Sequence, residues 1–194
     1  MEVIEAIKTR RSISRMSQEV PPRDVIEKVI EAAVEAPNHH NTEPWRFYVL
    51  TGAAREQLGD AMAERLKRAW HGDESKLEAG LMAERSKPLR SPVLIVVGVK
   101  HSDNERIDAR EDLQAASAGI QNLLLAAHSF GLSTVWRTGE GVYDDGVKAH
   151  FGLSPLDEIA GMVYLGYPDA EAAANAMPRT RASESFTEWR DGSN

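Results

Sequence analysis

Apolar residues Val3, Ile4, Ala6 and Ile7 recur at helical spacing and predict a short opening helix. Arg10-Arg11-Ser12-Ile13-Ser14-Arg15 follows as a loop or helix end. Pro21-Pro22 then marks the start of a second helix, because proline suits the first helical turn, where its missing N–H is no loss. Residues 24–36 carry Val25, Ile26, Val29, Ile30 and Ala33 on one face, the pattern of an amphipathic helix, and Pro37-Asn38 stops it. A polar loop over 37–44 leads into the aromatic and β-branched stretch 45–50, which reads as a strand. Residues 53–71 read as a helix, and 73–87 as a second, looser one with a weak apolar face. The run 93–99, Val-Leu-Ile-Val-Val-Gly-Val, has no polar alternation and predicts a strand buried on both faces.

A long helix is expected from about 104 to 129. Leu113, Ala116, Ile120, Leu123, Leu124 and Ala127 repeat at three and four, and small residues at 115–119 permit close packing by a neighbour. Gly131 ends it. Residues 133–137 form another strand, 144–151 a short helix and 159–167 a final strand. The tail, 168–194, is polar with scattered apolar residues; it is expected to be disordered or to drape over a partner. Strands alternate with helices, which predicts an α/β or α+β architecture with helices on a central sheet. No Gly-, Ser- or Pro-rich linker and no internal repeat divides the chain, so 1–194 is expected to be a single domain.

Composition narrows the chemistry. With 23 basic and 30 acidic residues among 194, the net charge is −7, which argues against broad nucleic-acid binding. There is no cysteine, which removes disulfides, thiolate nucleophiles and iron–sulfur clusters. The N-terminus lacks the apolar core of a signal peptide, and no run reaches the roughly 18 apolar residues of a membrane span, so the expected location is the cytoplasm. The glycine fingerprint of dinucleotide folds, the P-loop, the G-x-S-x-G elbow and H-E-x-x-H are all missing. Of six histidines only His39 and His40 are adjacent, and neighbours in a loop do not share a face, so no metal site is expected.

Three features remain. Arg10-Arg11-Ser12, with Arg15 close by, could grip a phosphate through charge-assisted hydrogen bonds, or could be a solvated helix end offsetting the helix dipole. The loop Pro37-Asn38-His39-His40-Asn41-Thr42-Glu43-Pro44 concentrates groups that can bond the edge of a planar heterocycle, or is an ordinary turn. Trp136-Arg137-Thr138-Gly139 ends a strand, where sheets tend to bind ligands; Trp136 could pack on a flat ligand and Arg137 meet an anion, or the pair is a core tryptophan and a surface arginine. Residues 66–89 could form a lid, with Met62, Trp70 and Met82 either lining an apolar slot or packing helices.

The order and spacing of these segments resemble the flavin-dependent nitroreductase family, in its small single-domain branch, over residues 1 to about 168. Arg10-Arg11-Ser12 matches an R-R-S motif; residues 36–47 are similar to A-P-S-x-x-N-x-Q-P-W-x-F; residues 116–127 and 131–139 are similar to the long central helix and the strand after it. The resemblance implies an α+β, nitroreductase-like fold with a mostly antiparallel central sheet flanked by helices. It implies a homodimer with FMN at the subunit interface and NADH or NADPH as co-substrate. Arg10, Arg11 and Ser12 would hold the phosphate and ribityl end. His39 and Asn41 would reach the flavin bound mainly by the other subunit, and Trp136, Arg137 and Thr138 would complete the site. Arg179 or Arg181 would supply a further phosphate contact. A stretch assigned in relatives to nicotinamide-nucleotide binding falls on 126–131, which here reads as the helix's own end. Glu43 stands where the family has glutamine, and Glu35 where the branch can carry arginine. The implied activity is reduction of a small acceptor, such as a nitroaromatic or quinone, with Arg10, Arg11 or Arg15 near the reduced flavin. The rival is a flavin carrier or sensor of the same fold without turnover.

Overall fold

The uninterrupted apolar run becomes β2 (Val93–Val99), an inner strand of a four-stranded antiparallel sheet in the order β1-β2-β4-β3. This computed structural model describes residues 1–102, 104, 106–177 and 182–190. β1 (Trp45–Leu50) pairs with β2 from Trp45↔Val99 to Leu50↔Leu94, β4 (Glu158–Gly166) lies on its other side, and β3 (Ser133–Arg137) pairs with β4. Antiparallel pairing throughout selects α+β from the two expected architectures.

Alternate residues of β2 feed two different cores. Val93, Ile95, Val97 and Val99 face α5 (Ala109–Ser129) and α2 (Arg23–Val34), while Leu94 and Val96 face α3 (Ala53–Arg68) and the short helices α6 (Glu140–Tyr143) and α7 (Asp145–His150). A strand covered on both sides has no face for polar residues, which is why its sequence never alternates. The small-residue stretch of α5 does what its composition suggested. A Cβ on Gly119 would stand 3.0 Å from the Ala33 carbonyl, so only glycine lets α2 lie this close.

β4 changes its facing halfway. Ile159, Met162 and Tyr164 point into one core, Ala160, Val163 and Leu165 into the other, and the pairing with β2 jumps from Val97↔Gly161 to Gly98↔Ile159. This is a β-bulge, an extra residue that shifts the two-residue alternation by one. Gly161 sits in it with φ +155°, and the Trp136 indole lies directly on its Cα: a Cβ there would stand 2.1 Å from Nε1.

Several boundaries differ from the sequence reading, each for a local reason. The long helix starts at Ala109 rather than near 104, because the Asp108 carboxylate accepts the Arg110 N–H and caps it. The first helix after β1 stops at Arg68. The segment 73–87 is a single turn, Glu74–Lys76, then α4 (Leu77–Ser86), then a turn Lys87–Arg90 containing Pro88; Asp73 accepts the Ser75 N–H at the first break. The short helix expected at 144–151 is α7, started by Asp144, which accepts the Val147 N–H; the separate turn α6 just before it was not expected. In α1 (Val3–Thr9) only Ala6 is buried; Val3, Ile4 and Ile7 are exposed. Trp70 packs on Gly72 and Gly80, Met82 is exposed, and Met62 lines a cavity.

The start of the tail folds back on its own chain. Met16 bridges Pro168, the Asp169 N–H donates to the Arg15 carbonyl at 3.0 Å, and α8 (Ala170–Ala174) follows. Among the described residues no helix is long and apolar enough to cross a membrane.

Candidate functional site

The edge of β3 is closed by the segment that leaves α1. Ser12 bridges Thr134 in parallel, the Ser133 hydroxyl donates to the Ile13 carbonyl at 2.9 Å, and the Ser17 N–H donates to the Tyr167 carbonyl at 2.9 Å. This strip carries the arginine cluster to the sheet. Arg10 is buried, and its backbone N–H caps α1 on the Ala6 carbonyl. Arg11 ties two chain ends together: its Nε donates to the Met177 carbonyl at 2.8 Å and its Nη1 to the Lys8 carbonyl at 2.7 Å. Ser12 is exposed and, with Arg15 and residues of α8, lines a cavity of about 340 Å³. Arg15 Nη2 pairs with Asp169 at 2.7 Å and Glu171 at 2.5 Å, and these bonds, Asp169 first, hold its pKa above the usual arginine value.

Arg137 and Thr138 run off the end of β3 into a cavity of about 310 Å³. Met62 and Arg65 of α3, Lys87 and Arg90 of the turn before β2, and Met162 and Tyr164 of β4 form its other walls. Arg65 pairs with Glu140, and Lys87 with Glu84. The Arg137 guanidinium carbon stands 6.0 Å from the Tyr164 ring centroid. Burial raises the Tyr164 pKa, against the opposing pull of Arg90 and Arg137. A third cavity, about 450 Å³, is lined by Ser14, Arg15, Met16, Arg90 and Arg137. It shares Ser14 and Arg15 with the Ser12 cavity and Arg90 and Arg137 with the Thr138 cavity. The fold therefore joins Ser12, Arg15, Arg90, Arg137 and Thr138 along one concave, cationic surface, which suits an anionic ligand with a flat body.

Trp136 takes the sheet as its first partner. Its Nε1 donates to the Ala160 carbonyl at 3.2 Å across Gly161, and about a third of the residue, 36%, remains exposed. Residues 126–131 form the C-terminal cap of α5: the Phe130, Gly131 and Leu132 N–H groups return to the Ala126, Ala127 and His128 carbonyls.

His39 and Asn41 stand elsewhere. His39 Nδ1 lies 3.0 Å from Glu111 in the first turn of α5 and lines a cavity of about 530 Å³ with Asn38, Gln114, Ala115 and Ala118. Asn41 is exposed. The loop is unusual, because His40, Asn41 and Glu43 all have left-handed φ values, of 56°, 51° and 44°. Glu43 gives its backbone N–H to Asn38 Oδ1 at 3.0 Å, and Glu35 is the exposed C-cap of α2. The other half-site touches the far end of the same helix, where Thr9 Oγ1 lies 2.9 Å from His128 Nε2. From Glu111 to His128 is about 25 Å along the helix axis at 1.5 Å per residue. The loop of His39 is thus held at the start of α5, and Thr9, just before the arginine strip, at its end. Arg179 and Arg181 lie outside the described residues. Among the described residues no three His, Asp or Glu side chains are grouped to hold a metal ion.

Arg65, Lys87 and Arg90 are the site residues that sequence reading missed. They lie among other charged residues on α3 and on the turn before β2, and only the sheet order carries them to the end of β3.

His128 gives this end of the protein a pH dependence. Burial, then the charges of Arg10 and Arg11, lower its pKa from the ordinary 6.5. The unfolded chain binds its proton first as pH falls, so stability is full above about 6.5 and declines below it until the folded group also protonates. His128→Gln is expected to flatten that decline, read as urea midpoints between pH 5 and 7.5. An equal decline in both proteins would refute the assignment.

Comparison with known proteins identifies the family and the fold. A model of the nitroreductase family matches residues 7–167. The chain is 36% identical over 184 residues to "Putative NAD(P)H nitroreductase YfhC" of Bacillus subtilis, covering 94% of this chain and 91% of that one. The crystal structure of a nitroreductase-like family protein from Bacillus cereus superposes with a TM-score of 0.81 at 28% identity, over 99% of this chain and 97% of that one. That of a "putative nitroreductase in complex with FMN" from Desulfovibrio desulfuricans does so with a TM-score of 0.69 at 27% identity, over 98% of each.

Proposed function

The chain belongs to the nitroreductase family, and from that premise we propose that it is an FMN-dependent oxidoreductase. It takes hydride from NADH or NADPH and reduces a small acceptor such as a nitroaromatic or quinone. The observation that carries the reading is the concave surface running from Ser12 past Arg15 and Arg90 to Arg137 and Thr138. Its donor set fits FMN, since guanidinium and hydroxyl groups recognise phosphate and the polar edge of a flavin. A relative of known structure carries FMN.

Ser12, Arg10 and Arg11 would hold the phosphate and ribityl end; Arg11, with two nitrogens already on carbonyls, contributes mainly charge. Arg137 and Thr138 would meet the ring edge, and Trp136 would fix the strand end that carries them. When bound, FMN accepts a hydride from the nicotinamide and passes reducing equivalents to the acceptor. Arg90 and Arg137, which both line the shared cavity, would supply positive charge to stabilise a reduced, anionic ring. Arg15 is less available, because Asp169 and Glu171 hold it. Met62, Met162 and Tyr164 give the acceptor an apolar wall.

The working unit in this reading is a homodimer. His39 is held at one end of α5 and Thr9, just before the arginine strip, at the other, about 25 Å apart along the helix, so the loop would serve a flavin on a second copy. The exposed Val3, Ile4 and Ile7 of α1 give such a copy an apolar surface to cover.

The test is the visible spectrum of the purified protein before and after anaerobic NADH or NADPH. A yellow protein that bleaches is expected. A yellow protein that neither donor bleaches would fit the carrier or sensor instead, and a colourless protein that takes up no FMN would overturn the site.

A further inference from the structure

We propose that Thr42 and Asp112 are positioning residues that hold the 38–43 loop in the shape that presents His39 and Asn41 to a flavin on a second copy of the chain. The inference rests on the shared-site reading above.

The loop needs holding. His40, Asn41 and Glu43 surround Thr42, and all three are left-handed without being glycine. Residues in such sparsely populated conformations persist only where surrounding contacts over-determine them. Thr42 provides the central contact: its hydroxyl donates to Asp112 Oδ1 at 2.7 Å. Asp112 is only 2% exposed, and its other oxygen is occupied. The Ser102 N–H donates to Oδ2 at 3.2 Å, and His101 Nδ1 faces it at 3.3 Å. His101 is fixed in turn: its Nε2 lies 3.2 Å from Glu158 Oε1, and its backbone N–H donates to Asp157 Oδ1 at 3.2 Å. The carboxylate therefore cannot swing away from Thr42 without leaving the ends of β2 and β4.

The loop is registered to α5 twice within one turn. Glu111 holds His39, and the next residue, Asp112, holds Thr42. A backbone strained in this way is preformed for binding, so the ordering of the loop is complete before a ligand arrives.

The test compares the wild type with Thr42→Val, Thr42→Ser and His40→Gly. FMN affinity is read by flavin fluorescence quenching on apoprotein, the environment of bound flavin by visible circular dichroism, and stability by the urea midpoint. Thr42→Val is expected to weaken FMN binding about tenfold and change the dichroism, while Thr42→Ser, which keeps the hydroxyl, restores both. His40→Gly separates positioning from stability. Relief of left-handed strain offsets the extra freedom of the unfolded chain, so the urea midpoint stays near wild type while FMN affinity falls several-fold. Wild-type affinity and dichroism in Thr42→Val, or in His40→Gly should Thr42→Val not fold, would overturn the positioning role alone. A wild-type apoprotein that takes up no FMN would overturn the flavin reading and this inference with it.

Discussion

Gly161→Ala should cost the protein several kcal/mol and lift Trp136 off the sheet. Two effects add. The φ of +155° lies where an L-residue is strained, at about 1–3 kcal/mol. The new methyl would stand 2.1 Å from Trp136 Nε1 and 3.0 Å from the Arg137 carbonyl, and overpacking of that kind costs about 1–3 kcal/mol more. The sum, roughly 2–6 kcal/mol, is a large part of the 5–15 kcal/mol that keeps a domain folded. The measurement is urea unfolding, with tryptophan emission followed in parallel against a Trp136→Phe control. Because Arg137 and Thr138 continue the strand that Trp136 pins, the same substitution should weaken FMN binding. A stability change under about 1 kcal/mol would mean that the bulge adapts and the indole is not seated as described.

Mixing two inactive variants should restore activity. Arg137→Ala damages the strand-end half of both sites in a dimer, and a His39→Ala, Asn41→Ala double variant damages the loop half of both. In a mixed dimer both defects fall on one site, and the other is intact. Random exchange of subunits makes half the dimers mixed, so about a quarter of the wild-type sites should return. Either variant alone should stay near its own low rate. The readout is NAD(P)H-dependent reduction of a quinone after the two proteins are unfolded and refolded together. No gain above the mean of the two parents, with mixed dimers shown to have formed, would place both half-sites on one flavin within a chain or remove one of them from the site. It would thereby refute the shared site.

Much of the fold was legible because burial leaves a periodic trace. β2 read as doubly covered from its lack of alternation, and the small residues of α5 marked where α2 comes close. Boundaries were legible less well, since Asp73, Asp108 and Asp144 each start an element by a side-chain bond that composition does not single out. The bulge was hidden for another reason: 159–167 reads as one apolar run whether or not its facing flips at Gly161. The exposed apolar face of α1 shows the limit of periodicity, which reports that a face is apolar and not which chain covers it. For the site, the motif-bearing segments 10–12 and 136–138 stood out, and a third cavity, lined by Ser14, Arg15, Arg90 and Arg137, links the cavity of Ser12 to that of Arg137 and Thr138. Lys87 and Arg90 did not stand out, because cations in a charged turn beside a strand carry no pattern until the strand order is known. The left-handed turn at His40, Asn41 and Glu43 was equally silent, since none of the three is glycine.

The strip from Arg10 to Ser17 has a consequence for how the protein is made. It is held by residues far along the chain: Ser12 by Thr134, Met16 by Pro168, Ser17 by Tyr167. On the ribosome the arginines emerge about 150 residues before β4 and the segment after it. At 5–20 residues per second that is a delay of roughly 8–30 s. Through that interval the cationic strip has no complete sheet to lie on. A ligand that needs the strip seated on the sheet can therefore bind only after β3, β4 and residues 167–168 have folded against it.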